Sequence, residues 1–143
     1  NLIFAGLLYA AYGYSSQSKS LTELTLFAAL IIGCFQALAV FPGASRSGMA
    51  ITGALIIGLN IKDTSRFAFL LSIPTIMGAL ILMIAKGAYS IALGDMLIIL
   101  TGFIASAFIA FITIKGFLRF VETIGMTPFV LYRVVLGVAL LIL

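Results

Sequence analysis

The chain has 143 residues, of which 64% are hydrophobic and only 8% charged, and its mean hydropathy is +1.33. A soluble domain carries about a quarter of its residues charged, so a water-soluble fold is excluded. The net charge of +4 comes from eight basic residues set singly between apolar runs, which excludes a nucleic-acid-binding stripe, and one cysteine (Cys34) with no histidine excludes a disulfide framework and a His/Cys metal cluster.

The class that remains is an all-α polytopic membrane protein, read as a single membrane domain over 1–143. A charged side chain at the bilayer centre costs about 2.5–3.5 kcal/mol on the insertion scale, so charge-free windows locate the helices. Residues 1–14 are apolar from the outset, without the basic start and cleavage site of a signal peptide. They are too short to span and are read as a truncated helix, so the sequence is expected to be a piece of a longer protein. Ser15 to Glu23 is a polar loop.

Residues 24–59 predict a re-entrant hairpin. Its first arm, Leu24 to Phe41, stops at Pro42-Gly43, because proline disfavours helical geometry in the residue before it and glycine permits a sharp reversal. The return arm from Gly48 to Leu59 reaches only about 18 Å against a hydrocarbon core of about 30 Å, so it does not cross. Ala29, Gly33 and Ala37 on one arm, and Ala50, Ala54 and Gly58 on the other, form small-residue stripes that would let two backbones approach.

Transmembrane helices follow at 67–85, where Pro74 predicts a kink, at 96–114, and at 128–143, where Arg133 lies near the beginning and is read as a snorkelling anchor. Arg66, Lys115 and Arg119 are read as interfacial anchors too, and the aromatic stretch Phe103 to Phe120 as a lipid-facing or helix-packing surface. With a re-entrant hairpin, the loops around Lys19, Lys62 and Arg66, and Lys115 and Arg119 fall on one side, and the Lys86 to Asp95 loop on the other. The positive-inside rule makes the first side cytoplasmic.

Chemistry concentrates at the hairpin tip, Pro42-Gly43-Ala44-Ser45-Arg46-Ser47-Gly48. An ionisable residue at membrane depth persists only with a partner or a water-filled cavity, so Arg46 predicts an anion and a pocket. Its planar fork matches phosphate oxygens bidentately. Gly43 and Gly48 would let the backbone approach a ligand, Ser45 and Ser47 supply hydroxyl donors, and the helix expected after Gly48 offers free N–H groups at its positive end. Gln36, on the entry arm, would bond either the turn or the ligand, or serve helix packing. A serine nucleophile finds no base nearby in sequence.

Around this turn, Phe35-Gln36-Ala37-Leu38-Ala39-Val40-Phe41-Pro42-Gly43-Ala44-Ser45-Arg46-Ser47-Gly48 resembles the second signature of the bacterial undecaprenyl-pyrophosphate phosphatases of the bacitracin-resistance type. Ser65-Arg66-Phe67-Ala68-Phe69-Leu70-Leu71-Ser72-Ile73-Pro74 and Tyr132-Arg133 resemble further stretches of that family at similar separations. The resemblance implies a multi-pass enzyme of the bacterial plasma (inner) membrane that hydrolyses undecaprenyl (polyprenyl) diphosphate to the monophosphate, recycling the lipid carrier of peptidoglycan synthesis. It also implies an inverted-repeat architecture of which this chain is the C-terminal half. The family's first half carries a Gln/Glu-x-x-x-Glu pair and a Pro-Val-Ser-Ser-Ser-Gly-His turn, and this sequence has neither.

The partners so implied are the polyprenyl diphosphate, membrane lipids and a missing N-terminal half carrying Glu and His/Ser residues; homo-oligomerisation stays open. The four carboxylates, Glu23, Asp63, Asp95 and Glu122, fall in loops or at helix ends, so this chain is expected to hold no cofactor. A divalent cation, Mg or Ca, remains compatible with the complete enzyme. Two other readings compete: a polyprenyl-phosphate transporter or flippase, since broken helices in inverted repeats also build transport sites, and a noncatalytic helical scaffold.

Overall fold

A computed structural model describes residues 1–87 and 96–142. The apolar runs form α1 (Leu2–Tyr14), α2 (Leu26–Ala37), α3 (Arg46–Ile57), α4 (Ile61–Ala85), α5 (Met96–Ile124) and α6 (Thr127–Ile142), with single 3₁₀ turns at Leu21–Glu23 and Leu38–Val40. Starts are set by capping side chains: Thr25 accepts from the Ala28 amide, Ser45 from Gly48 and Asn60 from Asp63.

The short helix α3 is the centre of the fold. It packs against α1, α2 and α4, while α6 lies on α1 and α5 on α4. Every residue from Gly48 to Leu55 is buried, as expected of a helix without a polar face. Its small side chains admit three neighbours at once, and the one polar group among them, the Thr52 hydroxyl, donates to the Gly48 carbonyl at 2.7 Å.

The α2–α3 pair is a hairpin, with Phe35 of α2 facing Gly53 of α3, where a Cβ would lie 2.9 Å from Phe35 Cβ and Cγ. Half of the expected small-residue seam is corrected. Ala50, Ala54 and Gly58 are buried, but Ala37 is exposed and a Cβ on Gly33 would meet nothing within 4 Å. The buried face of α2 carries Ile32 and Gln36 instead. Bulk on α2 fills space left by small residues on α3, so only one arm needs the small stripe.

Helices α4 and α5 contain 25 and 29 residues, about 37 and 43 Å at 1.5 Å per residue. Both outrun the charge-free windows at 67–85 and 96–114. Lys62, Asp63 and Arg66 lie in the first turns of α4, and Lys115, Arg119 and Glu122 in the last turns of α5, because charge bars a residue from hydrocarbon, not from a helix. α4 runs unbroken through Pro74. Near it the Ser72 hydroxyl donates to the Phe69 carbonyl and the Thr75 hydroxyl to the Leu71 and Ser72 carbonyls.

The apolar stretches of α4 and α5 are almost wholly exposed: Phe103, Phe108 and Phe111 are 68%, 67% and 69% accessible. Buried helices of a soluble core do not look like this; surfaces that face lipid or another protein segment do. α6, with 16 residues, extends about 24 Å. Most of the loop expected from Lys86 to Asp95 lies outside the described residues.

The hairpin is latched at the end away from its turn. The Lys19 amide donates to the Gly58 carbonyl at 3.0 Å and the Asn60 amide to the Lys19 carbonyl at 2.9 Å. Asp63 Oδ2 accepts from the Leu21 amide and from Asn60 Nδ2, each at 2.9 Å. Lys62 pairs with Glu122 at 2.8 Å, so Lys19, Lys62 and Arg66 share one end of the bundle while Lys86 caps the other end of α4. Asp63→Ala leaves the Leu21 amide without its acceptor and Asn60 Nδ2 with only the Lys19 carbonyl, and is expected to cost about 1–3 kcal/mol. Glu122→Gln, which breaks a pair with side chains 44% and 36% exposed, is expected to cost under about 1 kcal/mol. Thermal unfolding of the two variants checks the order.

Candidate functional site

The tip of the hairpin is a tight turn followed at once by a helix. Phe41 is extended, as the residue before proline must be. The Ala44 amide closes on the Phe41 carbonyl at 3.1 Å, with Pro42 first and Gly43, at φ +86°, second of the central residues. That is a type II turn, whose second central position requires a residue tolerant of positive φ. Ser45 then caps α3, which starts at Arg46, two residues before the expected start at Gly48. Gly48 is not part of an irregular turn; it is the third residue of the helix, its amide donating to Ser45 Oγ at 3.3 Å.

The hydroxyls of Ser45 and Ser47 lie 3.2 Å apart, beside the first-turn amides of α3, which have no intrahelical acceptors and carry the positive end of the helix dipole. Gly43, Ser45, Ser47 and Gly48 form one wall of a cavity of about 520 Å³ whose other walls are mainly apolar, with Phe117, Phe129 and Leu136 among them. Ser47 also borders a smaller cavity, about 240 Å³, shared with Ala68 and Phe69 of α4 and Thr113 of α5. The turn therefore lies beside α4 roughly 11 Å from its start, about a third of the way along.

Not every expected member of the site is brought together. Gly43, Ser45, Ser47 and Gly48 are. Gln36 is buried on the face of α2 that meets α3 and is not among the residues lining the cavity, which fits its helix-packing role. Arg46 is placed apart from these: its side chain is exposed in this chain and is not among the residues lining the cavity. As the first residue of α3 it points off the packed faces, and among the described residues it enters no ion pair or side-chain hydrogen bond.

The cation that does reach the turn is Arg133, which sequence alone reads as an anchor. From α6 its guanidinium donates to the Gly43 carbonyl at 2.9 Å and to Asn1 Oδ1 at 3.1 Å, while Asn1 Nδ2 donates to the Arg133 carbonyl at 3.2 Å. A clue is present in the sequence: a lone arginine inside the apolar run 127–142 merits the same reading as the one at the hairpin tip.

Among the described residues the carboxylates are engaged away from the hairpin tip. Glu23 is tied into the capping of the Leu21–Glu23 turn, and Asp63 and Glu122 are bonded at the far end of the hairpin. Among the described residues no three metal-ligating side chains converge, and Asp95 lies outside them.

Two exposed apolar helices are long enough to cross a bilayer, one of them packed on a short buried helix with a polar, capped tip and the other packed on the first, the arrangement of a helical membrane protein. The model of the bacitracin resistance protein BacA family matches residues 1–139, and the chain belongs to that family. Its relatives include undecaprenyl-diphosphatases of Alcanivorax borkumensis (45% identity, covering 98% of this chain and 53% of the relative), Teredinibacter turnerae (45%, 99% and 53%) and Lactobacillus delbrueckii subsp. bulgaricus (40%, 96% and 53%). The chain thus spans about half the length of the curated relatives it matches.

Proposed function

We propose that the complete protein is an undecaprenyl-diphosphate phosphatase, a multi-pass hydrolase of the bacterial inner membrane that returns the lipid carrier of peptidoglycan synthesis to its monophosphate, and that this chain supplies the phosphate-binding turn. The observation that carries this is the juxtaposition at the tip of α3: the Ser45 and Ser47 hydroxyls at a helix N-terminus on the wall of a mainly apolar cavity, with Arg46, which has no ion pair or side-chain hydrogen bond among the described residues, between the two serines in sequence. Polar donors would take the diphosphate and the apolar walls the first isoprene units. Family membership and the names of the relatives support the same substrate.

In this reading the α2–α3 hairpin is re-entrant, entering and leaving on the side of Lys19 and Asn60, and belongs to one half of an inverted repeat. Both arms are 12-residue helices, about 18 Å long against a core of about 30 Å. Water attacks the terminal phosphorus, the bond from that phosphorus to the bridging oxygen breaks, and polyprenyl monophosphate and inorganic phosphate leave. Arg46 clamps the diphosphate and stabilises charge spreading over the phosphoryl oxygens. Ser47 donates to a phosphate oxygen, and Ser45 holds the helix end while lining the site.

In this reading the groups that activate water, and any Mg or Ca ion, would belong to the N-terminal half that the family resemblance implies, with its Glu and His/Ser residues. The test is phosphate release by the purified full-length protein, run beside translocation of polyprenyl phosphate in vesicles. Hydrolysis without translocation is expected; translocation without phosphate release would establish the transporter instead.

A further inference from the structure

Arg46 and Arg133 are two arginines at one turn, and their side chains are in opposite states. The Arg133 fork is engaged by the Gly43 carbonyl and by Asn1, whereas Arg46 has no partner among the described residues. Gly48 makes the difference possible: a Cβ built on it would lie 2.7 Å from an Arg133 guanidinium nitrogen. The bare backbone of Gly48, expected to admit a ligand, is the seat of the Arg133 guanidinium.

We propose that Arg133 is a positioning residue for the phosphate turn. It fixes the Gly43 carbonyl, rests on Gly48 in the first turn of α3, and so holds the tip of the hairpin against α6 with the Ser45 and Ser47 hydroxyls facing the cavity. The fork geometry suits this role, because Nε and one terminal nitrogen bond two acceptors on different segments while the other terminal nitrogen lies beside a glycine, which a single ammonium cannot reproduce. Since Arg133 also lines the cavity, its position sets the width of the opening beside the turn. The assignment rests on the phosphatase reading above, being defined by what the turn presents to the diphosphate.

The test uses the purified full-length protein with polyprenyl diphosphate, Arg46→Ala serving as reference. Arg133→Ala and Gly48→Ala are each expected to lower kcat about 10- to 100-fold, as small misplacements of a reacting group do, with KM within about threefold of wild type. The double variant should be no worse than the poorer single, because both changes remove one contact. Arg133→Lys, able to reach one carbonyl, should recover part of kcat.

Wild-type kcat in both single variants alongside an inactive Arg46→Ala would overturn the positioning role alone. So would a raised KM with unchanged kcat in Arg133→Ala, which would make Arg133 a direct ligand, or losses that multiply in the double variant. An active Arg46→Ala would instead remove the phosphate-turn reading. If Arg133→Ala does not fold, Gly48→Ala, which keeps the arginine, decides the matter.

Discussion

Arg46→Ala is expected to reduce phosphate release from polyprenyl diphosphate by about 10³-fold or more, the scale on which phosphoryl-transfer arginines act, while leaving the melting temperature unchanged or slightly higher. Both halves follow from its place in the structure. Arg46 is the first residue of α3, where the helix dipole presents its positive end, and a cation there is unfavourable by about 0.3–1 kcal/mol. Nothing among the described residues compensates it. A residue that opposes the local electrostatics of its own helix, with its side chain exposed, marks a place where the fold defers to function. Arg46→Lys keeps the charge without the bidentate fork and should also be severely impaired. Near wild-type phosphate release by the alanine variant would end the assignment.

Gly53→Leu is expected to be the most disruptive single change to the hairpin. The first atom added already lies 2.9 Å from two atoms of Phe35, none of them the free end of a flexible chain, and helix α3 has neighbours on its other faces. Overpacking typically costs about 1–3 kcal/mol, and a four-carbon side chain at this crossing should reach the top of that range or beyond, seen as a lowered melting temperature and poor recovery of folded protein. The matched alanine pair gives the sharper comparison. Glycine to alanine inside a helix gains about 0.5–1 kcal/mol from backbone entropy, so Gly33→Ala, where the new Cβ meets nothing within 4 Å, should be neutral or stabilising. Gly53→Ala should be destabilising in spite of the same gain. Equal effects at the two positions would mean that the α2–α3 contact is not where the structure puts it.

The contrast between Gly33 and Gly53 shows where sequence reasoning stops. Both are glycines in apolar helices, and four-residue spacing selects the wrong one, because spacing reports which residues share a face and not which face meets a neighbour. Helix limits are misplaced for a related reason. A charge-free window measures tolerance of hydrocarbon, so it misses Lys62 to Arg66 and Lys115 to Glu122, which continue α4 and α5 beyond it. Gly48 reads as turn in the sequence although Ser45 has already capped the helix.

By itself the sequence determined what local chemistry determines. Hydropathy made this a helical membrane protein, Pro42-Gly43 ended one helix and turned the chain ahead of a short second one, and the Ser-Arg-Ser-Gly tip concentrated donors there. Only the tertiary structure decided that α3 is the hub, that Gln36 faces protein, and that Arg46 has no ion pair or side-chain hydrogen bond among the described residues while Arg133, ninety residues from Gly43 in sequence, donates to the Gly43 carbonyl. The physical reason is range. Capping, turn geometry and hydrophobicity act within a few residues, whereas the place of a guanidinium from α6 against a glycine of α3 depends on how α1 seats both helices, which no local pattern encodes.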